Sequence, residues 1–258
     1  MIETTRLGTL VGGSIADGWR AFKRHPGLLI SAIALFAIIE GVYGVMHYAR
    51  FELGMTSYAL WQYLWFGLTY PISAGVGYLA LKLVRGDEAS IRTMFAGYAR
   101  YLPLAGAGVF VYVMYILGFL MYMNFMYLVA LGLQRLDLPD FLLIVAAIAA
   151  SCLVIGAVLI THFGLMQAPM LVVDKGLGPI EAVKGSWAMM SGYKLDAFLL
   201  GLASLAIIAL GILALGVGLL VAVPVVLAAY AAFYNRVLAA NPPAQLDLLP
   251  PADPLLAV

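Results

Sequence analysis

Long apolar runs alternate with short polar connections along the whole chain. A helix needs ~20 apolar residues to cross a hydrocarbon core ~30 Å thick. Six runs reach that length, at 27–49, 58–84, 103–133, 141–173, 195–215 and 219–239. The third and fourth are longer, about 31 to 33 residues or ~48 Å of helix, so each is expected to tilt, kink or protrude. Pro71, Pro169 and Pro224 lie inside runs. A missing N–H at these points predicts a kink or an end.

The connections carry a second pattern. In "PIEAVKGSWAMMSGYKLDAFLL", placed on a helix, Ile180, Val183, Trp187 and Met190 share one side, opposite Glu181, Lys184, Gly185 and Ala188. Such a helix suits the headgroup plane. The pattern recurs 89 residues earlier with Ile91, Met94, Tyr98 and Tyr101, and 76 before that with Ile15 and Phe22 beside Trp19. Each copy meets a helix breaker (Pro26–Gly27, Pro103 or Gly192) and then an apolar run. The expected fold is all-α integral membrane: six spans in three repeats, 14–89, 90–178 and 179–240, each an amphipathic helix plus two spans. Residues 1–240 make one domain, and the proline-rich tail 241–258 is expected to be disordered.

Composition agrees with a membrane chain. Of 258 residues, 64% are hydrophobic and 10% charged, against ~45–50% and ~25% in soluble domains. The net charge of +1 hides an asymmetry. Twelve of the 14 Lys and Arg residues fall on one side of the predicted topology, and only Arg50 and Arg135 on the other. The positive-inside rule then puts both termini in the cytoplasm. The N-terminal segment has no leading apolar core, so the first span is expected to insert uncleaved. Cys152 alone supports neither a disulfide framework nor a zinc knuckle.

The amphipathic "IEAVKGSWAMMSGYKLDAF", followed by a hairpin with the glycine turn "LGVGLLVAVP", resembles the YciC-like bacterial inner-membrane proteins. It is also similar to the membrane domain of some glycerophosphodiester phosphodiesterases. The resemblance, over roughly 80–240, implies a six-helix fold in a bacterial inner membrane and brings almost no chemistry. These 258 residues are not expected to hold a soluble phosphodiesterase domain, so that activity does not transfer.

Candidate chemistry is sparse. Glu40 stands ~20 Å into the first span by helical rise, with His47 on the same face and Asn124 at a similar outer depth on the third. An ionisable group at such depth costs at least ~2.5 kcal/mol, so Glu40, His47 and Asn124 form either an outward-open polar site or a packing contact. His162 and Gln167 precede Pro169, where Gln167 is expected to satisfy freed carbonyls. Tyr112, Tyr115, Phe119, Tyr122 and Met126 read as a packed helix seam, with a groove for a lipid tail as the alternative. Gly41 with Gly44, Gly75 with Gly77, and Gly106 with Gly108 suggest close helix contacts. Trp19, Trp61, Trp65, Tyr98 and Trp187 are expected as interfacial anchors. Arg20, Lys23, Arg24, Arg92, Arg100 and Lys184 form an expected basic collar. No metalloprotease, nucleophile-elbow or P-loop motif occurs.

These features predict a non-enzymatic inner-membrane protein with no cofactor or metal. Its partners would be membrane lipids, with a possible protein partner in the membrane or cytoplasm, and no nucleic acid. The alternative is a small transporter or channel passing Glu40.

Overall fold

The computed structural model describes residues 2–52, 58–136, 140–214 and 216–241, helical almost throughout and with no strand among them. In chain order they form α1 (Ile2–Arg24), α2 (Pro26–Glu52), α3 (Tyr58–Arg85), a 3-10 helix η1 (Ile91–Arg100), α4 (Tyr101–Leu136), α5 (Asp140–Leu165), α6 (Ala168–Lys175), α7 (Pro179–Met189), α8 (Lys194–Leu213) and α9 (Leu219–Ala240). The expectations for the side chain of Trp61, the connections at 53–57 and 137–139, and the tail at 242–258 fall outside the described residues.

Local chemistry sets the boundaries. Proline restricts the residue before it, and α1 gives way to α2 at His25, just ahead of Pro26. Gly86 (φ +84°) and Gly176 (φ +68°) follow α3 and α6 in the left-handed region, where a side chain is strained. The fourth apolar run is not one helix. It breaks at Met166–Gln167, because Pro169 has no N–H to return to the preceding turn. The expected repair by Gln167 is not the one found. Ser186 of α7 donates its hydroxyl to the Gly164 carbonyl at 2.8 Å and accepts from the Gln167 backbone N–H at 3.2 Å.

Among the described residues, five stretches are long and apolar enough to cross a membrane: Pro26–Ala49, Ile91–Gly132, Ala147–Lys175, Lys194–Leu213 and Leu219–Ala240. The sixth expected run, 58–84, falls on α3, whose first seven side chains lie outside the described residues. The 28 residues of α3 mix apolar side chains with Thr69, Tyr70, Pro71 and Ser73.

The three amphipathic segments pack on the flanks of other helices. α1 lies along α9, η1 along α3, and α7 against α6. A Cβ on Gly18 would stand 2.6 Å from the Ala229 nitrogen and 2.9 Å from the Val225 carbonyl oxygen. Gly97 meets the Pro71 carbonyl, and Gly75 meets that of Met94, with no room for a side chain. As 94 pairs with 75 and 97 with 71, η1 runs antiparallel to α3. Each segment thus buries one edge against protein. The buried edge also differs from the large apolar faces expected. Met94 and Gly97 are buried on η1, whereas Tyr98 and Tyr101 are exposed. Residues three apart eclipse in a 3-10 helix. On α7, Ala182, Val183, Ser186 and Met189 are buried, while Ile180 and Trp187 are exposed.

The core gathers where α3, α6, α7 and α9 meet, and the far parts of α2, α4 and α5 expose apolar side chains. Among the expected glycine contacts, Gly75, Gly77, Gly106 and Gly108 each touch a neighbour, whereas Gly41 and Gly44 have nothing within 4 Å. The α4 seam divides. Tyr122 meets Ser151 of α5 at 3.2 Å, but Tyr112 and Tyr115 line a cavity.

Candidate functional site

The strongest polar constellation lies where the C-terminal ends of α3, α6 and α9 converge. Arg85 closes α3, and its guanidinium donates two parallel hydrogen bonds to Asp174 of α6, at 2.5 and 2.9 Å. Its Nε donates to the Asn235 side-chain oxygen of α9 at 3.0 Å. The Tyr234 hydroxyl donates to Asp174 at 2.9 Å, and the Lys175 ammonium stands 3.6 Å away. The Asp174 side chain is only 4% exposed and that of Arg85 24%. A bidentate Arg–carboxylate pair of this kind is both strong and directional. Swapping a buried pair for apolar groups can be neutral, but removing one partner strands a charge. Every strong donor here is aimed at another protein group, so the cluster clasps three helices together.

A second ion pair ties α1 to α9. Arg236 donates to Asp17 at 2.8 Å from Nε and lies 2.7 Å away through its terminal nitrogen. Arg20 also bonds Asp17. Partial burial pushes the Asp17 carboxyl upward, but hydrogen bonds from Arg20 and Arg236 outweigh it and hold it below the usual carboxylate range. Arg20, expected in the basic collar, is bonded within the protein, as are Arg85 and Arg236.

Glu40 does have a partner. The Trp65 indole donates to its carboxylate at 3.2 Å, and Tyr43 stacks on Trp65 at 5.1 Å and contacts His47 at 5.7 Å. Asn124 is exposed on α4, a helix packed mainly on α5. The structure thus joins Glu40, Tyr43, His47 and Trp65, and sets Asn124 elsewhere.

The remaining anchors share one local arrangement. Trp19, Tyr98 and Trp187 each directly follow a buried small residue, Gly18, Gly97 or Ser186. Each stays exposed, at 43%, 37% and 44%. Cations attend two of them. Lys23 lies 5.9 Å from the Trp19 ring and Lys194 3.6 Å from that of Trp187. Tyr98 instead donates to the Leu68 carbonyl at 2.6 Å, three residues before Pro71. Lys23, Arg24, Arg92 and Lys184 are exposed, while Arg100 is half-buried with its guanidinium beside Gly176. The small–aromatic pair was legible as Gly-Trp, Gly-Tyr and Ser-Trp, but a search for large apolar residues passes over the small partner. Among the described residues no cluster of His, Cys, Asp and Glu could hold a metal ion.

Residues 27–241 match the family model described as "Protein of unknown function (DUF975)". The chain belongs to that family. The match takes in every described helix from α2 to α9 and leaves α1 outside it. No curated protein and no solved structure matches the chain. Membership brings no chemistry, and the all-helical fold with several membrane-crossing candidates comes from the structure itself.

Proposed function

We propose that this is a non-enzymatic inner-membrane protein in which three units close into a ring and present an aromatic, basic rim to anionic phospholipid headgroups. The role is lipid-interacting or that of a scaffold. One observation carries it: the exposed Trp19, Tyr98 and Trp187 sit at equivalent points of three helices, with Lys23 beside Trp19 and Lys194 beside Trp187. An aromatic ring with a neighbouring Lys is the usual tenant of the headgroup level, and each near-surface cation adds ~1 kcal/mol toward anionic lipid.

Three helix pairings support the units. Each amphipathic segment meets a proline-bearing stretch of another unit: Gly18 beside Val225, next to Pro224; Gly97 at Pro71; and Ser186 at the break ahead of Pro169. Because α1 packs on α9, first unit on last, the series closes. In this reading Gly18 corresponds to Gly97, a register of 79 rather than 76. In this reading α3 is the sixth span, since Trp65 returns alongside Glu40 of α2. Both termini then share the cytoplasmic side, and the YciC-like resemblance contributes an expectation of fold only. A transporter or channel is less well supported, because the Glu40 carboxylate is taken up by the Trp65 indole.

Native mass spectrometry of the detergent-purified protein tests the proposal. Wild type should retain phosphatidylglycerol over phosphatidylcholine. Changing Lys23, Arg24, Lys184 and Lys194 together to Gln should remove at least about tenfold of that preference. An unchanged preference would sink the headgroup reading.

A further inference from the structure

A cavity of about 280 Å³ lies between α3, α4 and α5 at the break before α6, lined among others by Phe66, Tyr70, Tyr112, Tyr115, His162 and Met166. One wall is aromatic: Phe66 and Tyr70 stack with centroids 4.9 Å apart and planes 26° apart. The other carries a polar pair, since the Tyr115 hydroxyl hydrogen-bonds Nδ1 of His162. A hydrogen bond at one imidazole nitrogen fixes the role of the other. Either atom can donate in that pair; with the phenol as the donor, the ring proton sits on Nε2 and the imidazole offers one N–H donor. His162 is itself exposed at the cavity. No carboxylate, lysine or arginine lines this space, so a charged ligand would lack a counter-charge.

We propose that this cavity binds a neutral, membrane-soluble molecule with a flat, carbonyl-bearing ring of the quinone type. The ring lies against the Phe66–Tyr70 wall, and its carbonyl oxygen accepts from His162 Nε2. Aromatic faces favour offset stacking on a planar ring. In apolar surroundings a ring N–H left without an acceptor is costly, so the site prefers a carbonyl over a plain hydrocarbon. Pockets of this sort, mostly apolar with few convergent polar groups, are the usual form of small-molecule sites. Tyr115 is a positioning residue that sets the tautomer, and His162 is the direct contact. This site is separate from the headgroup-facing rim and does not depend on it.

The test uses the full chain in phosphatidylcholine nanodiscs, with decyl-benzoquinone as the probe and dioleoylglycerol as the ester-lipid comparator. Bound probe is measured against empty nanodiscs. The expected result is saturable binding of the quinone, weakened about tenfold or more by His162→Phe. Tyr115→Phe should weaken it too, while His162→Gln, which keeps a donor, should retain most affinity. His47→Phe should change nothing. If His162→Phe fails to fold, Tyr115→Phe and His162→Gln carry the comparison. The proposal is overturned if the quinone does not saturate, or if all variants bind alike. It is equally overturned if dioleoylglycerol binds as tightly with the same dependence on His162, which would make the ligand an ester lipid.

Discussion

At the residue scale, small side chains decide this structure. Gly97 sits against the Pro71 carbonyl with no space for a methyl group. Overpacking of this kind costs ~1–3 kcal/mol. Gly97→Ala should therefore lower the thermal midpoint in detergent clearly, and Gly156→Ala, with nothing within 4 Å, should not. Equal effects would show that η1 and α3 do not touch as described. Glu40 gives the opposite expectation. Its carboxylate accepts from Trp65, and Gln offers the same acceptor without a charge to bury. Glu40→Gln should leave the midpoint unchanged or slightly raised, while Glu40→Ala lowers it by stranding the indole. A large loss in Glu40→Gln would mean the charge itself is needed. The sequence made Glu40 conspicuous and left Gly97 silent. Rarity draws attention to a charge in an apolar run, whereas a contact made by a missing side chain leaves no signal until both partners are placed.

At the scale of elements, hydrophobic periodicity located the helices and misread some faces. The runs at 27–49, 195–215 and 219–239 correspond to α2, α8 and α9, because continuous apolar sequence bounded by polar turns permits little else. The amphipathic segments were found, but their large apolar residues point outward at Tyr98 and Trp187. The break between α5 and α6 was readable from Pro169, but its repair by Ser186, from a helix further along the chain, was not. Ser186→Ala should destabilise by ~1–3 kcal/mol, the cost of an unmade buried hydrogen bond; a silent substitution would place another partner at Gly164. The link between α1 and α9 responds to pH. Because the Asp17 carboxyl is held below its ordinary range, its contribution is present above the unfolded-state value and is lost as pH falls through the folded one. The stability gap between wild type and Asp17→Asn should persist at neutral pH and close only in acid beyond the normal carboxylate range. A gap that closes already near neutrality would exclude the ion pair.

For the whole molecule, the claim is that three units meet at the Arg85–Asp174–Asn235 clasp and that α1 closes the series on α9. Family membership covers α2 to α9, so ring closure is the part that rests on this chain's own contacts. The clasp was hidden in the sequence because Arg85 and Asp174 lie 89 residues apart and each reads as ordinary loop charge beside a span. Removing one partner of such a buried pair costs ~3–5 kcal/mol. Asp174→Ala should thus destabilise strongly, and the exchange Arg85→Asp with Asp174→Arg should recover part of the loss. Failure of the exchange to improve on either single change would count against a direct pair. Ring closure itself is tested most directly by crosslinking. In a Cys152→Ser background, Asp17→Cys and Arg236→Cys should be joined within one chain by a short bifunctional maleimide in native membranes, since their side chains meet in the structure. The account predicts an intramolecular crosslink in most molecules, with both single variants labelled and uncrosslinked. Full labelling of both cysteines without a crosslink would contradict it, because α1 would then not close the ring.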